Sequence, residues 1–183
     1  MRIYIVALLV IALILSCNQT DCPEENETSE PIEKAVNTSD IETMAIKKTI
    51  DGLYANIRVE NGQLPNTADI LVYFSSAAQM GSVKNDSASL GSPTDYFKGW
   101  EIMMKKYQPN LLIEGEIKGR TQHFGNIAYH TSHYYAAINH PDSIVDQGII
   151  NYQLVRENGN WKVASMIWES EKEELTVPKT YFD

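Results

Sequence analysis

Two periods govern the spacing of apolar residues along this chain, and the change between them falls near Pro109. Before it the repeat is helical. Ile46, Ile50, Leu53, Tyr54 and Ile57 define one stripe, opened by Ser39-Asp40-Ile41-Glu42, a Ser-x-x-Glu capping box. Asn61-Gly62 and Pro65 end that helix, and a shorter one is expected from Thr67 to about Ser75. A third starts with Ser92 as N-cap and Pro93 in the first turn, with Phe97, Trp100, Met104 and Tyr107 along one side. After Pro109 the repeat shortens to two. Leu111–Lys118, Phe124–Ile138, Gln147–Glu157 and Asn160–Glu169 read as strands, the last two joined by Asn158-Gly159, a strong hairpin signal. Helices followed by an antiparallel meander predict an α+β domain with helices on one face of a curved sheet.

The hairpin sets a register. A two-residue turn pairs Glu157 with Asn160, Arg156 with Trp161 and Val155 with Lys162. Strict alternation then puts Leu154, Tyr152, Ile150, Trp161, Val163, Ser165 and Ile167 on one face, as packing would want. The other face carries Gln153, Asn151, Met166 and Trp168, amides mixed with large apolar groups, and is expected to line a pocket. Three of the four histidines lie between Gly125 and His140. His130 and His133 are an odd number apart and point to opposite faces, so they cannot share a metal without a bulge. No cofactor or metal site is expected. Ala128, His130, Ser132, Tyr134 and Ala136 alternate small with polar-tipped side chains, and this face is preferred as the pocket wall; a dimer partner or the tail would cover the other.

Composition adds the compartment. The chain opens with Arg2 and an apolar run from Ile3 to Leu15, too short to span a bilayer comfortably and of signal-peptide length. The run ends Leu15-Ser16-Cys17, which resembles the lipobox of bacterial lipoproteins; Cys17 would be diacylated, with an uncleaved anchor as the alternative. Residues 17–38, rich in Glu, Thr, Asn, Ser and Pro, read as a disordered tether, and Cys22 has no partner for a disulfide once Cys17 is lipidated. This divides the chain into a leader (1–16), the tether, one domain (39–171) and a tail (172–183). Location in the cell envelope, periplasmic or on the outer-membrane surface, follows. A net charge of −9 argues against nucleic-acid partners.

The element order, the stretch ILVYFSSAAQMGSV, the segment GNIAYHTSHYY and the closing ENGNWKVASMIWESE resemble nuclear transport factor 2-like (SnoaL-like) domains. The resemblance implies a cone-shaped half-barrel of curved antiparallel sheet with about three helices on its concave face, a pocket between them, and frequent homodimers. Similarity to the ketosteroid isomerase branch places Asn151 at an oxyanion-binding position, Trp168 on the pocket wall, Tyr54 near an oxyanion tyrosine and Ser82 near the general base. Serine cannot act as that base alone, so the activity is not carried over.

Three readings follow. The first is a lipid-anchored domain binding a small apolar or amphipathic ligand through Tyr54, Ser82, Trp100, His130, Tyr134, Asn151, Gln153, Met166 and Trp168. The second is an isomerase or hydro-lyase with His130 as its base. The third is a homodimeric assembly protein whose pocket is vestigial.

Overall fold

The computed structural model describes residues 38–183; Cys17, Cys22, the leader and nearly all of the tether lie outside the described residues. Three helices, α1 (Thr38–Ile57), α2 (Thr67–Leu71) and α3 (Pro93–Tyr107), accompany seven strands: β1 (Val59–Glu60), β2 (Phe74–Lys84), β3 (Ser87–Gly91), β4 (Leu111–Phe124), β5 (Ile127–Ile138), β6 (Ile144–Glu157) and β7 (Asn160–Ser170). They form one curved, unclosed sheet in the order β1-β4-β5-β6-β7-β2-β3.

The expected α1 stripe is the buried one, with Ile46, Ile50, Leu53, Tyr54 and Ile57 all in the core. The helix packs on β4 and β7, and α3 packs on β2. Helix α1 already includes Thr38, and the Glu42 carboxylate reaches across to β6 and β7. There it accepts from Trp161 Nε1 at 3.0 Å and Arg156 Nη1 at 2.8 Å. The Trp161 hydrogen bond, working against desolvation and helped by Arg156, holds the Glu42 carboxyl below its ordinary pKa. Helix α3 begins as expected: Ser92 Oγ accepts from the Asp95 amide at 3.1 Å. It ends where Gln108 turns left-handed, φ +46°. Phe97, Trp100 and Met104 are buried, whereas Tyr107 is exposed.

Helix α2 is shorter than expected, because its apolar continuation becomes β2. That strand pairs parallel to β7, so the sheet is not wholly antiparallel. Tyr73 O accepts from Val163 N at 2.9 Å at the entry to that pairing. Tail residues Leu175 to Tyr181 lie over Gly148 and Ile149, and Asp183 approaches Lys118 of β4. The acidic end of β7 is therefore tied in: Glu171 accepts from Gln147 and from the Val177 amide, each at 2.6 Å.

Candidate active site

The β6–β7 hairpin follows the expected register as far as Leu154 opposite Val163, where Ala164 bulges and Gln153 next meets Ser165. A bulge of one residue exchanges the faces beyond it. Trp161 and Val163 before it, and Met166 and Trp168 after it, therefore all turn to the concave side beside Ile150, Tyr152 and Leu154. Met166 is buried there and Ile167 is exposed. Asn151 and Gln153 go the other way: both are exposed, and Asn151 accepts from Thr131 on the outer face at 2.9 Å. Placing these two amides on the same face as Met166 and Trp168 is thus corrected; alternation was counted through a residue that has no partner.

On the concave side a cavity of about 90 Å³ lies between sheet and helices, lined by Trp100, Glu114, Tyr134, Asp146, Met166 and Trp168 among others. Glu114 and Asp146 are each paired with Ala136, from β4 and β6 respectively. Two carboxyl groups thus flank one small residue, their backbones two strands apart, roughly 10 Å. They differ in support. Tyr134 donates to Asp146 Oδ2 at 2.9 Å and Ser170 donates to the same oxygen at 3.1 Å. The Glu114 carboxyl makes no hydrogen bond or ion pair among the described residues. Burial first, and then the negative charge of Asp146, push its pKa up to about 7. The residue keeps part of its surface accessible, and it borders the cavity.

Aromatic side chains close the space. Tyr96 meets Trp168 edge to face at 5.4 Å, and Phe97 meets Trp100 at 6.2 Å. Tyr96 is 37% exposed and sits where the cavity approaches solvent. Burial, then the fields of Glu114 and Asp146, raise the pKa of its hydroxyl.

A second polar cluster occupies the same face nearer the α1 side. His130 Nε2 lies 2.5 Å from Glu116 Oε2, and Thr121 Oγ1 lies 2.8 Å from His130 Nδ1. Lys47 of α1 reaches Glu116 at 3.4 Å. Desolvation pulls the Glu116 pKa upward, but the hydrogen bond and charge of His130, with Ser132 and Lys47, outweigh it and hold the carboxyl below its ordinary value. Tyr54 shares a hydrogen bond of 2.9 Å with Ser132, while the buried Tyr152 hydroxyl has no partner of good geometry among the described residues.

Of the residues singled out in the sequence, the cavity brings together Trp100, Tyr134, Met166 and Trp168. Tyr54 and His130 face the concave side but belong to the second cluster. Ser82 lies beside Trp168 through the β2–β7 pairing, in a separate depression with Lys84 and Glu171. Gln153 borders a shallow groove of about 460 Å³ on the outer face with Phe124, Ile127, Tyr129 and Val155. That groove is larger, yet its composition suits a contact surface better than an enclosed ligand site. Glu114 and Asp146 escaped sequence reasoning. A signal existed for the first: Glu114 shares the parity of Leu112, which is buried. Asp146 precedes the expected start of its strand.

This architecture is shared with known structures. A nuclear transport factor 2-like protein of unknown function from Pseudomonas putida KT2440 superposes with a TM-score of 0.58 at 12% identity, covering 74% of this chain and 90% of the other. A protein of unknown function with a cystatin-like fold from Nostoc punctiforme gives 0.57 at 11%, covering 73% and 93%. The fold is the nuclear transport factor 2-like cone. A provisionally assigned scytalone dehydratase from Novosphingobium aromaticivorans gives 0.57 at 13%, covering 75% and 90%. Such identities carry the fold and nothing finer. No family model matches the sequence, and no curated protein matches it.

Proposed function

We propose that the protein is a lipid-anchored cell-envelope domain that binds the head of a small amphipathic molecule in the concave cavity. One observation carries this reading: an aromatic-walled cavity into which two carboxyl groups converge from β4 and β6, the strands on either side of β5, one of them without a hydrogen bond or ion pair among the described residues. At about 90 Å³ the space admits a head group; pockets for whole drug-sized ligands run to roughly 300–1,000 Å³. The rest of the ligand would leave past Tyr96 and Trp168. Native mass spectrometry of the protein, purified gently from its own host, tests the reading. A bound small molecule lost in Ala136→Leu, which fills the cavity, supports it. Retention of the same molecule by that variant places the binding elsewhere and defeats it.

A second reading, proton-transfer catalysis of isomerase or hydro-lyase type, is supported by Glu114, whose pKa of about 7 suits a general acid–base. Both ring nitrogens of His130 are already engaged by Glu116 and Thr121, so Glu114 is the better-placed base. Turnover found with a candidate substrate and unchanged in Glu114→Gln would remove that role. The outer groove, with Phe124 and Ile127 exposed, supports homodimer formation; a monomer in sedimentation at high concentration would count against it.

A further inference from the structure

We propose that the concave cavity selects an organic cation, a primary or methylated ammonium group, over neutral and anionic molecules of the same shape. The inference rests on the binding reading above and names the chemistry of its ligand.

Charge sets the sign. Glu114 and Asp146 are the charged residues lining the cavity, and among the described residues no Lys, Arg or His lines it. Asp146 is oriented as an acceptor, because Tyr134 and Ser170 both spend their hydroxyl protons on its Oδ2. Glu114 has no such support. Its carboxyl is desolvated and close enough to Asp146 for the two charges to interact. A buried carboxylate without a partner is unfavourable, and a cation between the two strands would supply the missing one. An anion would add a third negative charge, and a neutral molecule would leave the repulsion in place.

The walls choose the kind of cation. Tyr96, Phe97, Trp100, Tyr134 and Trp168 line the space together with Met80 and Met166. Aromatic rings attract ammonium groups through their negative faces, and methylated ammonium is the usual occupant of aromatic cages. A hard metal ion calls for six or more oxygen ligands. Here two carboxyl groups, one already committed to two hydroxyl donors, stand among rings and thioethers. That composition fits a bulky, weakly hydrated cation.

A linked proton provides a signature. Glu114 shares its proton with solvent near neutrality, so a cation seated beside it expels that proton.

The test is calorimetric titration of the full chain in non-ionic detergent with choline, butylammonium, the neutral choline isostere 3,3-dimethyl-1-butanol, and 3,3-dimethylbutyrate. One of the two cations should bind roughly tenfold or more tightly than the alcohol, and the anion should not bind. The binding heat at about pH 7 should change with the ionisation enthalpy of the buffer, reporting proton release. Glu114→Gln should abolish the proton release and weaken cation binding, and Asp146→Asn should weaken it too, with near-ultraviolet dichroism confirming the fold of each. Equal affinity for cation and alcohol, lost in Ala136→Leu, overturns charge selection but leaves the pocket standing. No binding of any probe at millimolar concentration overturns both, as does cation binding that survives Ala136→Leu.

Discussion

Replacing Glu114 by Gln should make the protein more stable at alkaline pH and leave it unchanged in mild acid. The wild-type carboxyl has an ordinary pKa of 4.5 and is pushed up to about 7 by burial and by Asp146. An acid with a raised folded-state value binds its proton more tightly when folded. Between pH 4.5 and about 7 the folded protein therefore holds more protons than the unfolded chain, and stability falls as pH rises through that window. At 1.36 kcal/mol per pH unit the full effect is roughly 3 kcal/mol. A carboxyl bordering a cavity keeps some hydration, so roughly 2–3 kcal/mol is the expected size. Gln mimics the protonated carboxyl in shape and polarity and cannot ionise.

The assay is urea unfolding of wild type and Glu114→Gln from about pH 5 to about pH 8.5, followed by the fluorescence of the three tryptophans. The two proteins should agree within error at the acid end. Near pH 8 the variant should be ahead by 2–3 kcal/mol, roughly 6–12 °C in Tm for a domain of this size. Other shifted groups fall outside the window. Glu116 titrates below 4.5, and the raised tyrosines titrate above 10. Asp146→Asn should shrink the pH-dependent gap, because it removes the second cause of the Glu114 shift. A constant difference between wild type and Glu114→Gln across the range would refute the reasoning, as would a variant less stable at pH 8.

His130→Ala should cost about 2 kcal/mol at neutral pH, since it leaves Glu116 half-buried and without its main partner. The penalty should fade as pH falls through the low folded-state value of Glu116, which denaturant unfolding at about pH 3 and about pH 7 would show. Tyr134→Phe should cost about 1–2 kcal/mol through the lost donor to Asp146, measured the same way. Gly148→Ala should be worse. A Cβ there would stand 2.2 Å from the Glu169 carbonyl oxygen, a backbone atom that cannot swing aside, so β6 and β7 must part beside Ser170. A drop of more than about 2 kcal/mol, with loss of any cavity ligand, is expected; wild-type stability would show that the two strands can separate there freely.

Much of the fold is legible in the sequence because the interactions that define it are local. Ser92 and Pro93 announce α3 within one turn, and Asn158, at φ +50°, with Gly159, at φ +79°, fixes the closing hairpin. The α1 stripe follows from one element packing on one sheet. Strand β2 is different. Its neighbour β7 lies more than eighty residues on and runs parallel to it, so nothing near Phe74 marks it as the continuation of a sheet rather than of α2. Its inner face, with Ala78 and Met80, is apolar enough to read either way.

The site is less legible than the fold, and the reason is geometric. Alternation transfers a face assignment along a strand only while every residue has a partner. The bulge at Ala164 breaks that rule between Trp161, whose face is set by the turn, and Trp168, whose face sets the site. A second register shift between Glu116 and Lys118 displaces β4 against β5 just beyond Glu114. Ala164 stands two residues before Met166 and Glu116 two residues after Glu114, and both Met166 and Glu114 line the cavity. Bulges concentrate beside functional sites, so a strand whose two faces look equally mixed deserves to be counted with one residue skipped. With Ala164 skipped, the inner face of β7 reads Trp161, Val163, Met166 and Trp168. The polar residues that share the cavity with Met166 and Trp168, Glu114 and Asp146, then stand out as groups that packing alone would not have put there.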